Sequence, residues 1–91
     1  MRESTIEAYL VKRVTENGGE IRKAKWVARA HCPDRFVMLK GGWWVELKAS
    51  GETSRPGQVR EHNRMREHYI PVFEIDSKQK VDEFIAMVEG A

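Results

Sequence analysis

Three charged side chains stand at a spacing that can do chemistry. Asp34 follows Pro33, and Glu46 and Lys48 have only Leu47 between them. Two carboxylates held close together repel, and both ionise only at a cost unless a cation relieves them. Paired hard oxygen ligands, with room left for water and phosphate, suit Mg²⁺ or Mn²⁺. Such an ion activates water and stabilises charge on a phosphate. An ammonium alongside can orient or deprotonate the attacking water and neutralise the developing charge. The plainer alternative is a cross-strand salt bridge on a solvated face. The choice turns on whether Asp34 meets Glu46 and Lys48.

The stretch WWVELKAS, residues 43–50, reads as a strand following DRFVMLK, 34–40, with Gly41-Gly42 between them. Side chains alternate faces along a strand. Trp43, Val45 and Leu47 therefore share one face, and Trp44, Glu46 and Lys48 the other. A two-residue Gly-Gly turn would set Val37 opposite Glu46. A three-residue turn, 40–42, sets Asp34 opposite Lys48 and Phe36 opposite Glu46. Val37 and Leu39 then join Trp43, Val45 and Leu47 on the core face. That register separates apolar from charged residues, so the spacing predicts a three-residue or bulged turn.

The other elements follow from periodicity. Residues 4–17 read as a helix with Ile6, Tyr9, Leu10 and Val14 on one face. Ser4-x-x-Glu7 has the form of a capping box, and Asn17-Gly18-Gly19 is a stop signal. Residues 20–27 read as an edge or half-exposed strand, and 50–57 as a loop. A second helix starts near Pro56 and runs to about Tyr69, with Gln58, His62 and Met65 on one stripe. IPVFEI, 70–75, is a fourth strand, with Pro71 near its start. Asp76 or Ser77 then caps a helix with Val81, Phe84, Ile85 and Val88 on its apolar face. The order is α-β-β-β-α-β-α, an α/β fold with a mixed sheet flanked by helices. The last strand follows a helical crossover and is predicted to pair in parallel.

At 91 residues the chain is expected to form one domain, 1–91. Its one cysteine, Cys32, rules out an intramolecular disulfide, and no Cys/His zinc spacing is present. No apolar run approaches the roughly 20 residues of a membrane helix, and the start lacks a signal core, so no membrane association and an intracellular location are expected. Net charge is only +2, yet residues 22–66 carry +7 and the flanks −5. A basic middle is compatible with a polyanionic partner.

Pro33-Asp34 followed by Glu46-Leu47-Lys48 resembles the PD-(D/E)xK nuclease signature. A first helix carrying Glu7, the hairpin with VELK, and SGETSRPGQ leading to Gln58 resemble the VRR-NUC domain (virus-type replication-repair nuclease), over roughly residues 4–76. The resemblance implies a restriction-endonuclease-like fold and a metal-dependent DNA endonuclease. It implies that Asp34, Glu46 and the Leu47 carbonyl hold Mg²⁺ or Mn²⁺, with Glu7 completing the acidic cluster. Capping remains the rival role for Glu7. Lys48 would be the catalytic lysine, and Gln58 would support the site. Cys32 departs from the glycine often found before Pro-Asp, which bears on the approach of backbone to DNA. The family includes enzymes similar to Holliday junction resolvases, which implies branched or junction DNA as partner and a homodimer.

Lys25, Arg29, Arg35, Arg55, Arg60 and Arg64 are the candidate phosphate contacts, although each alone is equally an idle surface charge. His62 reads as structural or solvated in preference to a phosphate contact, His31 lies near the Asp34 end of the hairpin, and His68 reads as surface. Trp44 is the tryptophan placed to stack on a base or line a dimer contact. The rival function is a non-catalytic nucleic-acid-binding module on a nuclease scaffold. Within the enzyme reading, flap trimming and nicking stand beside junction resolution.

Overall fold

Apolar residues at helical spacing place two helices on one face of a sheet, and a polar helix covers the other. In the computed structural model, which describes residues 1–90, α1 is Glu3–Glu16, β1 Glu20–Lys23, β2 Arg35–Met38, β3 Gly42–Leu47, α2 Pro56–Glu67, β4 Val72–Ile75 and α3 Lys78–Glu89. Ala91, the end of the expected domain, lies outside the described residues. The sheet order is β1-β2-β3-β4, antiparallel except for the parallel β3–β4 pair. The expected α/β architecture and element order are those observed.

Ile6, Leu10 and Val14 of α1 meet Val81, Phe84, Ile85 and Val88 of α3 over Val37, Val45, Leu47 and Ile75. Each such aliphatic side chain contributes about 1.5–3 kcal/mol on burial. Ser77 caps α3 by accepting from the Lys80 amide at 3.1 Å. By contrast, the buried residues of α2 are Glu61 and His62. Polar contacts therefore anchor that helix, including Arg66 Nη2 to the Val72 carbonyl at 2.8 Å.

The hairpin turn is three residues long, as the separation of faces required, but it lies at Leu39–Gly41 instead of 40–42. Met38 pairs with Gly42, Val37 with Trp43, Phe36 with Trp44 and Arg35 with Val45. Two contacts hold this register. Lys40 (φ 50°) and Gly41 (φ 131°) take left-handed backbone, and Trp43 Nε1 donates to the Leu39 carbonyl at 2.7 Å. Gly42 lies under the Phe36 ring, where an added Cβ would sit 2.5 Å from Cζ. The shift is an even number of residues, so every side chain keeps its predicted face. Its consequence is that Phe36 lies opposite Trp44, not Glu46, and Asp34 arrives beside Glu46, not opposite Lys48. Gly42→Ala should destabilise the fold by about 1–3 kcal/mol through this overpacking. Denaturant titration checks it, and an unchanged midpoint would mean that Phe36 moves freely.

Four other expectations are corrected. Ser4 does not cap α1: Arg2 is the N-cap residue, with no side-chain hydrogen bond, and the Glu7 carboxylate reaches across to an ion pair with Arg35. β1 stops at Lys23, because after the Ala24 amide donates to the Asp34 carbonyl at 3.0 Å the chain leaves the ladder. α2 stops at Glu67, with Tyr69 turned into left-handed backbone (φ 60°). β4 begins at Val72, since the Ile70 amide still closes on the Met65 carbonyl at the end of α2.

Candidate active site

β3 delivers Glu46 and Lys48 to the α2 side of the sheet, and the backbone just before β2 delivers Asp34 to the same place. The Asp34 amide donates to Glu46 Oε1 at 3.2 Å, and Asp34 Oδ2 accepts from the Leu47 amide at 3.0 Å. The two carboxylates are thus interlocked through each other's strand backbones. Gln58, in the first turn of α2, spans the rest of the site. Its Nε2 donates to Glu46 Oε2 at 2.9 Å, and its Oε1 accepts from Lys48 Nζ at 2.8 Å. The same Oε1 accepts from the Arg55 amide at 2.9 Å, which ties the site to the start of the helix. Lys48 Nζ stands 3.4 Å from Glu46 Oε2.

Glu46 is 2% exposed. Burial, then the charge of Asp34, pushes its carboxyl up to about 7, against the opposing pull of Lys48. A carboxylate so disfavoured beside a second one is a donor set that a divalent cation fits, because the cation's charge compensates both.

The structure brings Asp34, Glu46, Lys48 and Gln58 together, with Leu47 between the acid and the lysine. Glu7 is not with them. Its carboxylate is held by Arg35, and among the described residues no three His, Cys, Asp or Glu side chains form a metal-ligand group. The expected three-membered acidic cluster is therefore absent from this arrangement, because Arg35 on the α1 face of β2 competes for Glu7. Arg35 also donates to the Asp34 carbonyl at 2.9 Å, so it braces the loop that carries Asp34. Arg29 and Arg64 both reach Glu61, at 3.0 and 2.9 Å. Lys25, Arg55 and Arg60 are exposed.

His62 is buried, and its Nε2 has no hydrogen-bond partner. Burial, then the charge of Arg66, lowers its proton affinity, so the ring is neutral near pH 7. His31 (φ 67°) lies against the start of α2, where a Cβ on Gly57 would fall 2.4 Å from its Nε2.

Two carboxylates escaped the sequence reading. Glu74 pairs with Glu46 across the parallel ladder and accepts from Ser54 Oγ at 2.7 Å. The β3–β4 register, which single-strand patterning does not carry, was needed to find it. Glu61 is buried and accepts from Trp26 Nε1 at 2.9 Å. It is three residues from Gln58 on α2, so the helical stripe through Gln58 and His62 was a usable signal.

A mixed sheet between helices, with an acid, an acid and a lysine at one end of a hairpin, defines the PD-(D/E)xK class of architecture. No family model matches the chain. A protein of Acyrthosiphon pisum secondary endosymbiont phage 1 named "Putative nuclease p44" is 43% identical over 67 residues, which cover 71% of this chain and 72% of that one. A solved structure described as a VRR_NUC domain superposes with a TM-score of 0.85 at 33% identity, covering 92% of this chain and 94% of its own. The chain belongs to the VRR-NUC family.

Proposed function

We propose that this protein is a divalent-metal-dependent endodeoxyribonuclease that cuts branched DNA, with four-way junctions as the favoured substrate. The observation that carries the reading is the interlocked Asp34–Glu46 pair with Lys48 and Gln58 closing over it. Asp34, Glu46 and the Leu47 carbonyl would hold Mg²⁺ or Mn²⁺, with Glu7 joining them if it leaves Arg35. The ion, when bound, supplies charge compensation at the scissile phosphate and acidifies water.

The protein's own groups do the rest. Lys48 holds its ammonium at the phosphate end of the site, where it orients the attacking water and offsets charge on the phosphate. Gln58 fixes that ammonium and the Glu46 carboxylate in one geometry. Lys25, Arg55 and Arg60 contact backbone phosphates, with Arg29, Arg35 and Arg64 supporting from their ion pairs. The protein acts as a homodimer inside the cell, because a two-fold enzyme presents one site to each of two strands. No helix among the described residues is long and apolar enough to cross a membrane.

The test is cleavage of junction, flap and linear duplex DNA with Mn²⁺ or with chelator. Junction cleavage that stops in chelator is the expected outcome. Equal rates on all three substrates would remove the structural preference, and cleavage surviving chelation would remove the metal.

A further inference from the structure

Along the α2 side of the sheet from Glu46 lies a cleft of about 520 Å³, lined by Trp26, Trp44, Arg29, Arg64, Met65 and Ile70 among others. Its volume falls within the roughly 300–1,000 Å³ typical of small-ligand sites. Trp26 and Trp44 pack with ring centroids 5.3 Å apart and tilted by 57°, and Phe36 backs Trp44 at 4.8 Å. Both tryptophans are half-buried, so aromatic surface remains open to the cleft.

The charge here is built, not incidental. Glu61, its side chain 7% exposed, accepts from Trp26 Nε1 and draws in both guanidinium groups. Arg29 and Arg64 keep 55% and 51% of their side-chain surface in solvent. Two cations against one carboxylate leave the cleft net positive. The left-handed backbone of Ala28 (φ 58°) turns the loop so that Trp26 and Arg29 face one cleft.

Trp44 is two residues from Glu46 on the same face of β3, about 7 Å along the strand. Met65 is seven residues from Gln58 on α2, about 10 Å. At about 3.4 Å per nucleotide step of a duplex strand, the cleft opens two or three steps from the paired carboxylates.

We propose that this cleft binds an unpaired nucleotide of the DNA strand, its base stacked on Trp26 and Trp44 and its phosphates on Arg29 and Arg64. The inference rests on DNA being the ligand of the adjacent site. It would favour DNA with an unpaired base at that distance from the cut, which a flap, a gap or a branch point opened by unpairing offers and a continuous duplex does not. A planar ring with a flanking anion is what two indole faces and two guanidinium groups complement.

The experiment uses Lys48→Ala protein in chelator, so that no strand is cut. Tryptophan emission is followed during titration with short oligothymidylate and with an abasic oligomer of equal phosphate count. Oligothymidylate should quench the emission and bind about tenfold more tightly or better, since only it can stack. Trp26→Ala in the same background should bring the two affinities together. If that variant is unfolded by circular dichroism, the comparison of the two oligomers still decides. Equal affinities, or no quenching, overturn the proposal. So does a concentration-dependent dimer whose assembly shifts the emission and abolishes oligomer binding, which would mean that a second copy fills the cleft. Base-dependent binding by a wild-type protein that cuts no branched DNA with Mn²⁺ would overturn the nuclease reading and leave the cleft assignment standing.

Discussion

Lys48→Ala should cut branched DNA about 10²–10⁴-fold more slowly than the wild type while binding it with little change in affinity. The size follows from what the ammonium does. It is 11% exposed at the side chain, so it acts in a partly desolvated site where its charge is weakly screened. It lies apart from the exposed cations Lys25, Arg55 and Arg60, so its loss leaves the basic surface intact. Gln58 still accepts from the Arg55 amide and still donates to Glu46, so the helix start and the second carboxylate keep their geometry. Single-turnover cleavage and gel-shift titration on the same junction separate the two effects. A variant that cuts at the wild-type rate would remove Lys48 from the chemistry. One that fails to bind would make it a DNA contact instead.

The second expectation concerns the metal-free protein and pH. Glu46 has its carboxyl raised from 4.5 to about 7, chiefly by burial. Below pH 4.5 the group is protonated both folded and unfolded, and it costs nothing. As pH rises from 4.5 through 7 the unfolded chain ionises first, and the folded state progressively loses stability relative to it. The full loss above pH 7 is on the order of 3 kcal/mol for a shift of this size. Glu46→Gln should flatten that part of the stability profile. The amide cannot accept from both the Asp34 amide and Gln58, so the variant also carries a constant cost of about 1 kcal/mol. The diagnostic is therefore the slope between pH 4.5 and 7, measured by denaturant titration in chelator, not stability at one pH. Adding Mn²⁺ at pH 7 should stabilise the wild type and leave Glu46→Gln nearly unmoved. Parallel slopes in the two proteins would mean that Glu46 is ionised without penalty, and the case for a cation-relieved pair would lose its electrostatic support.

These expectations depend on features that differ in how far sequence patterning reached them. The α3 stripe of Val81, Phe84, Ile85 and Val88 and its Ser77 cap were readable, because helical periodicity and capping are local. So was the division of the hairpin into a Val37–Val45–Leu47 face and a Trp44–Glu46 face, since strand alternation needs no partner. The parallel placement of β4 followed from its helical crossover. The spacing put Asp34, Glu46 and Lys48 at one end of the hairpin, and Gln58, expected beside them from the family resemblance alone, joins them there.

Where two solutions competed for the same residues, patterning failed. Glu7 sits where a capping box would use it, yet Arg35 of a distant strand takes the carboxylate. That choice is between a backbone amide one turn away and a guanidinium 28 residues along the chain, and only folding brings the second within reach. The register of the hairpin is the sharper case. Alternation set which face each side chain occupies, and it is satisfied equally by two registers two residues apart. The Phe36 ring over Gly42, the Phe36–Trp44 packing and the left-handed Lys40-Gly41 turn selected between them. That selection moved Asp34 from Lys48 to Glu46 and made two carboxylates near neighbours. Glu74 joined the same face only through the β3–β4 ladder, and Glu61 gathered Trp26, Arg29 and Arg64 from separate segments. The residue types and their faces were thus written in the chain as local periodicity. Which charges touch was decided by tertiary packing, because a contact between distant segments is chosen by the shape of everything between them.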